Sequence, residues 1–407
     1  MVLAKKAEKK RALELLPELC SSHNDRSIFA IDYFCKDFFM AIAYQAPLPA
    51  PYPLLSEQEM RKRIQAVRSH YGKKLVILAH HYQRPEIVEL SDIRGDSLQL
   101  AQYAAKQAEA DYIVFCGVHF MAEGADILKT GQQIIVLPDL GAGCDMADMA
   151  EADDVSIAWD ELVEVLGHES IMPVTYVNSS AALKAFVASK EGLICTSSNA
   201  AKIVDWALKE KKVLFFYPDQ HLGRNTAKKL GIPLEQMSLW NPKKPYGGLE
   251  KNKILHTKVM LWEGCCPVHM MFTAKQIDQI RAKDPEFKII SHPECAMDVV
   301  DKSDCAGSTD FIVKTIMASP AGSKWAVGTE LNLVNRIAKE NPDKIIISIN
   351  PFMCLCGTMN RIDLPHLTWA LEQIKQGTPQ NIIRVEEPER TLAKQALNRM
   401  LEMSKSL

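Results

Sequence analysis

Short apolar runs recur along this chain, and each stops at a glycine or a group able to do chemistry. Leu75–Ala79 ends at His80-His81-Tyr82-Gln83, Tyr112–Cys116 runs into Gly117-Val118-His119, and Ile134–Leu137 leads to Gly143-Cys144. Two further sets follow. One holds Ile171–Val177, Leu193–Cys195, Val213–Tyr217 and Val259–Trp262; the other holds Phe287–Ile290, Trp325–Val327 and Ile345–Ile349. Continuous apolar runs alternating with helical stretches predict parallel sheets, whose chemistry gathers at the carboxyl ends of the strands.

The three sets match in more than number. Their first runs end in His80, in Tyr176 with Asn178, and in His292 with Glu294. A loop later each offers small hydroxyls before a helical stretch: Gly95-Asp96-Ser97, Thr196-Ser197-Ser198 and Gly307-Ser308-Thr309. Each set closes on a cysteine-bearing loop, at Cys144, at Cys265-Cys266 and at Cys354-Leu355-Cys356. The pattern predicts an α/β protein of three similar three-layer αβα domains, their parallel sheets in pseudo-threefold arrangement around one central site. The expected boundaries are 54–147 (completed by 357–407), 148–268 and 269–356. Residues 1–46 read as partly amphipathic helix, at Ala12–Leu16 and Ile28–Tyr44, and Pro47–Pro53 as a stiff linker, so that 1–53 form an appendage.

Composition narrows the function classes. The net charge of −2, from 48 basic and 50 acidic residues, gives no general reason to expect nucleic acid or an anionic membrane as partner. No apolar run approaches the roughly 20 residues of a membrane span. The basic start is interrupted by Glu8 and Glu14, unlike a secretory or transit segment, so the expected location is cytoplasmic. Eleven cysteines, an odd number without a small secreted framework, argue against a full disulfide set. Most can serve as buried apolar residues; those in glycine-rich loops need another reason.

Three thiolates from separate loops can hold an iron–sulfur cubane at three corners and leave one iron open as a Lewis acid. A zinc site and plain buried thiols are the competing readings, although no C-x₂-C pair begins a structural zinc site. The hydroxyls at helix starts fit either N-caps or an anion site built on unpaired N–H groups. His80 and His292 offer acid/base chemistry near neutral pH. Glu294, in His292-Pro-Glu-Cys295, is the stronger candidate, because burial disfavours a charged carboxylate and equips it to act as an acid.

Together these stretches resemble the quinolinate synthase family. The resemblance rests on Ile77–Gln83, Gly95–Ser97, Val114–Glu123, Ala142–Met146, Thr175–Asn178, Cys195–Ser197, Phe216–Asp219, Trp262–His269, His292–Cys295, Gly307–Thr309, Gly328–Glu330 and Cys356–Asn360. It implies three αβα domains around a [4Fe-4S] cluster and the condensation of iminoaspartate with dihydroxyacetone phosphate to quinolinate. Phosphate and two waters are lost. The activity is that of a condensing transferase of NAD biosynthesis, supplied with iminoaspartate by an L-aspartate oxidase or dehydrogenase. Cluster ligands fall on Cys144, Cys266 and Cys356. Substrate-binding residues fall on His80, Ser97, Tyr176, Asn178, Ser197, His292, Glu294, Ser308 and Thr309, with Tyr176, Glu294, His80 and His292 as the catalytic set. Two alternatives share the cysteines: another [4Fe-4S] hydro-lyase, and a non-catalytic redox or metal-sensing protein.

Overall fold

Every strand-like run of the sequence forms a strand in the computed structural model, which describes residues 45–352 and 355–406. The expected helices before Tyr44, and Cys354, lie outside the described residues. The first sheet holds β1 (Leu75–His80), β2 (Ile93–Gly95), β3 (Tyr112–Cys116) and β4 (Ile134–Val136), parallel and in the order β2-β1-β3-β4. A second sheet holds β5 (Ile171–Tyr176), β6 (Leu193–Cys195), β7 (Val213–Tyr217), β8 (Met237–Trp240) and β9 (Val259–Trp262), in the order β6-β5-β7-β9-β8. The third holds β10 (Lys288–Ser291), β11 (Cys305–Ala306), β12 (Lys324–Gly328) and β13 (Ile345–Ser348), in the order β11-β10-β12-β13. In the first and third sheets the order is second, first, third, fourth strand, and the second sheet matches it with β9 in the fourth place and β8 added at its edge.

That order follows from the sequence pattern. β1, β5 and β7 are buried at every position, because helices cover both faces of a parallel sheet and leave no wet side for alternation. Parallel pairing then brings all the carboxyl ends of one sheet to one edge. Residues 221–256, which interrupt the second set, supply the extra strand β8, paired parallel to β9.

The carboxyl-terminal segment divides between two sheets. β14 (Ile382–Ile383) pairs antiparallel with β4, and the helix Leu364–Lys375 packs on the helix Glu57–Tyr71, both in the first unit. The last helix, Glu389–Ser406, instead packs on the helix Ala181–Ser189 and on β6 of the second. Buried Asp126 fastens this crossing: its Oδ2 accepts from Val385 N at 2.9 Å and its carbonyl accepts from Arg390 at 3.2 Å. The Pro-rich stretch is not a free linker either. Tyr52 is buried and donates to Glu372 Oε2 at 2.6 Å, while Gln45 Oε1 accepts from Leu140 N at 3.0 Å. Among the described residues no helix is long and apolar enough to cross a membrane.

Candidate active site and metal-binding residues

A cavity of about 760 Å³ lies where loops from the carboxyl ends of all three sheets meet. Its wall includes His80, Ser97, Tyr176, Asn178, Ser197, His292, Glu294 and Thr309, together with Cys144, Cys266 and Cys356. Ser308 is the sequence candidate that the wall lacks. Its hydroxyl accepts from Phe311 N at 3.3 Å and caps the helix Thr309–Ala318, which is the ordinary use of serine at that position. Ser97 and Ser197 are spared this duty. Asp96 caps the helix that begins at Ser97, and Asn199 Oδ1 accepts from Thr196 N in the turn holding Ser197.

Glu294 is the centre of the polar wall. Tyr176 Oη donates to its Oε1 at 2.7 Å, and His269 Nδ1 stands 2.9 Å from its Oε2. Burial pushes the carboxyl up, while the imidazoles of His292 and His269 and the Tyr176 hydroxyl oppose it and favour the carboxylate. Its two oxygens thus meet a hydroxyl donor on one side and an imidazole on the other. Tyr176, at the end of β5, and His269, after β9, reach it from the second sheet, and His292 stands beside it in its own loop.

The two strand-end histidines share one arrangement. His80 Nδ1 accepts from Tyr82 N at 3.1 Å, and His292 Nδ1 accepts from Glu294 N at 3.4 Å. Burial holds both rings far down, His292 at about 3, so each is neutral with its proton on Nε2. Tyr82, also on the wall, joins its hydroxyl to Thr309 Oγ1 at 3.2 Å and to Thr329 Oγ1 at 2.8 Å. Among the described residues no lysine or arginine lines this wall.

Among the described cysteines the three on the wall share one feature. Each thiol is pulled down by the nearby backbone N–H of the residue three further on, against the larger effect of burial: Ala147 for Cys144, His269 for Cys266 and Met359 for Cys356. A helical turn starts just beyond each, at Asp145–Asp148, His269–Met271 and Met359–Arg361. N–H groups aimed at sulfur favour thiolate, as helix starts do for any anion. Burial meanwhile pushes all three thiols up, so a bound cation is what would make such a set of thiolates favourable. Cys116 and Cys195 are buried without such donors, and Cys265 faces only burial and the charge of Asp219. Among the described residues the one trio of donor atoms within 4.8 Å of one another is Cys266, His269 and Glu294. The three thiols are therefore not gathered tightly enough for a single ion; their donor set suits a larger group.

Sequence reasoning passed over Tyr82, His269 and Glu330, all on the wall. The signal was present: each lies inside a stretch that carries the resemblance.

Comparison with known proteins agrees over most of the chain. The family described as "NadA: Quinolinate synthetase A protein" matches residues 62–402. A protein named quinolinate synthase from Bacillus mycoides strain KBAB4 is 55% identical over 358 residues, covering 87% of this chain and 96% of that one. One of the same name from Anoxybacillus flavithermus strain DSM 21510 / WK1 is 55% identical over 354 residues, with the same coverage of 87% and 96%. Another, from Geobacillus strain WCH70, is 54% identical over 358 residues, covering 88% and 97%. On this extent of identity, the chain belongs to the quinolinate synthase family of NAD biosynthesis enzymes.

Proposed function

We propose that the chain condenses iminoaspartate with dihydroxyacetone phosphate to quinolinate, releasing phosphate and two waters, with a [4Fe-4S] cluster held by Cys144, Cys266 and Cys356. The observation that supports this reading is the repeated turn in which each of these thiols, unlike that of Cys265, has an N–H from three residues ahead turned towards it. When bound, the cluster supplies an iron free of protein ligands, a Lewis acid for a hydroxyl or carboxylate oxygen.

The remaining steps fall to side chains. Each dehydration needs a base to take a C–H proton and an acid to protonate the departing hydroxyl. Glu294, already ionised and oriented by Tyr176, is the base. His80 and His292, neutral with Nε2 protonated, are donors to the carbonyl, hydroxyl and phosphate oxygens of the triose. Its phosphate and the two carboxylates of the imine are recognised without basic side chains, by Ser97, Ser197, Thr309 and the N–H groups at their helix starts. Asn178 adds an amide to the same wall. Iminoaspartate comes from an L-aspartate oxidase or dehydrogenase, and the site of action is the cytoplasm.

A second reading has one observation in its favour. Cys266, His269 and Glu294 gather as a single divalent ion requires, which suits zinc. Against it, His269 and Glu294 already face each other, and Cys144 and Cys356 are left without a task. Anaerobic reconstitution followed by metal analysis and a quinolinate assay with both substrates separates the two. About four irons per chain, lost in Cys144→Ser, Cys266→Ser and Cys356→Ser but kept in Cys116→Ser, is the expected result. One zinc per chain, or full iron in Cys266→Ser with loss in Cys265→Ser, overturns it.

A further inference from the structure

Two buried carboxyls outside the reaction proper stand at corresponding places in the second and third sheets. Asp219 lies two residues beyond β7 and Glu330 two residues beyond β12, each the third strand of its unit. Both are fully buried. Each caps the helix that follows: Asp219 Oδ1 accepts from Leu222 N at 2.6 Å, and Glu330 Oε2 accepts from Leu333 N at 3.2 Å. Helix capping alone does not require a carboxyl hidden from water, since serine or asparagine caps as well.

What the two share besides is a cysteine. The N–H of Cys356 donates to Glu330 Oε1 at 3.5 Å, and the N–H of Cys266 faces the Asp219 carboxyl. The same corner makes a second grip on the loop before Cys266, where Gln220 N donates to Gly264 O at 2.9 Å. The first sheet repeats that grip: His119 N, just after β3, donates to Ala142 O at 2.8 Å, two residues before Cys144. There Val118 holds the cap position and no carboxyl is present.

We infer that Asp219 and Glu330 are positioning residues that fix the backbone of Cys266 and Cys356 and so aim these two thiols into the cavity. The inference rests on the reading of those cysteines as cluster ligands. It adds that each ligand loop is docked on the end of the neighbouring third strand, by a carboxyl in two units and by main chain alone in the first. Glu330 serves two N–H donors with two oxygens, whereas Asp219 uses Oδ1 for its helix and leaves Oδ2 without a hydrogen-bond partner, turned to the loop of Cys266. An amide of the same shape keeps one acceptor oxygen and must release one donor, and the cysteine N–H is the more distant partner of Glu330.

The test uses the full chain, as Glu330→Gln and Asp219→Asn, freed of metal under reducing conditions. Each protein is treated with N-ethylmaleimide, and the modification rate of every cysteine is read by peptide mass spectrometry. Glu330→Gln is expected to raise the rate at Cys356 roughly tenfold, the scale of one lost net hydrogen bond, with Cys266 and Cys144 unchanged. Asp219→Asn is expected to do the same at Cys266 and not at Cys356. General loosening of the fold would raise both together, and that outcome, or no rise in either variant, overturns the inference. Because each variant names its own cysteine, one that folds suffices if the other does not. Iron content after anaerobic reconstitution is measured in parallel. Wild-type protein that takes up no cluster sinks the cofactor reading, while the selectivity of alkylation judges the positioning role separately.

Discussion

Lys184 offers a quantitative check on the wall of the cavity. It is fully buried on the helix Ala181–Ser189, with Nζ donating to Ser179 O and lying 5.5 Å from the Phe120 ring centre. Phe120 and Asn178 both line the cavity, so the amine braces the loop behind Asn178 against a wall residue. Burial brings its pKa down from 10.5 to about 8, with the charge of Glu123 opposing. That difference corresponds to about 3 kcal/mol of cost for keeping the amine charged in the fold. Lys184→Met removes this cost near pH 7. It also forfeits the bond to the Ser179 carbonyl, about 1–3 kcal/mol, and the contact over Phe120, about 0.5–2 kcal/mol. Net stability near pH 7 should therefore change by no more than about 2 kcal/mol.

The pH dependence is sharper. Between about pH 8 and 10.5 the unfolded lysine binds a proton that the folded one has released, so wild-type stability rises with pH in that window. The rise relative to Lys184→Met should be about 1.4 kcal/mol per pH unit. Groups titrating in both proteins cancel in the difference. Urea unfolding of the two cluster-free proteins, at steps from about pH 7 to about pH 10, measures it. A difference that stays flat across this range would refute the buried-cation account.

Three other expectations follow from the site and its surroundings. Glu294→Gln should keep the fold and the iron but lower turnover by roughly 10² or more, the scale of a lost positioned base; near-normal quinolinate formation removes Glu294 from the mechanism. Ser197→Ala and Thr309→Ala should weaken substrate binding by about 1–3 kcal/mol, seen as a rise in KM for the triose phosphate, since neither hydroxyl is the helix cap. If a product or phosphate complex shows the anions on arginine or lysine instead, the hydroxyl reading fails. Starting the chain at Leu54 should lower stability by about 1.5–3 kcal/mol, because the bond from Tyr52 to Glu372 is lost, and Tyr52→Phe should reproduce much of that change in urea unfolding. Equal midpoints for Tyr52→Phe and wild type would return Pro47–Pro53 to the role of a passive linker.

Much of the architecture was legible in the chain because parallel strands covered on both faces must be apolar throughout. Leu75–His80 and Val213–Tyr217 could hardly be read otherwise. The strands that escaped notice are short or lie outside the repeated sets. Ile93–Gly95 and Cys305–Ala306 carry too few residues for a period, and Met237–Trp240 lies in the excursion. Their pairing is set by a neighbour already in place, which local propensity does not record.

The same division runs through the site. Residue types and their spacing were enough to name the three thiol loops, the strand-end histidines and Glu294, because motif chemistry is local. The ionisation of Glu294 was not local: it depends on Tyr176, 118 residues away, and on His269 from the loop after β9. The chain separated Cys266 from Cys265 only through the resemblance, by its spacing to His269, since both stand in one glycine-flanked loop. The fold adds a difference between them, since the backbone N–H of His269 lies by the Cys266 thiol and none is found by that of Cys265. Sequence determines which groups are present and roughly where each strand delivers them. Hydrogen-bond partners, burial and charge depend on distances between segments far apart in the chain, and only the packed structure sets those distances.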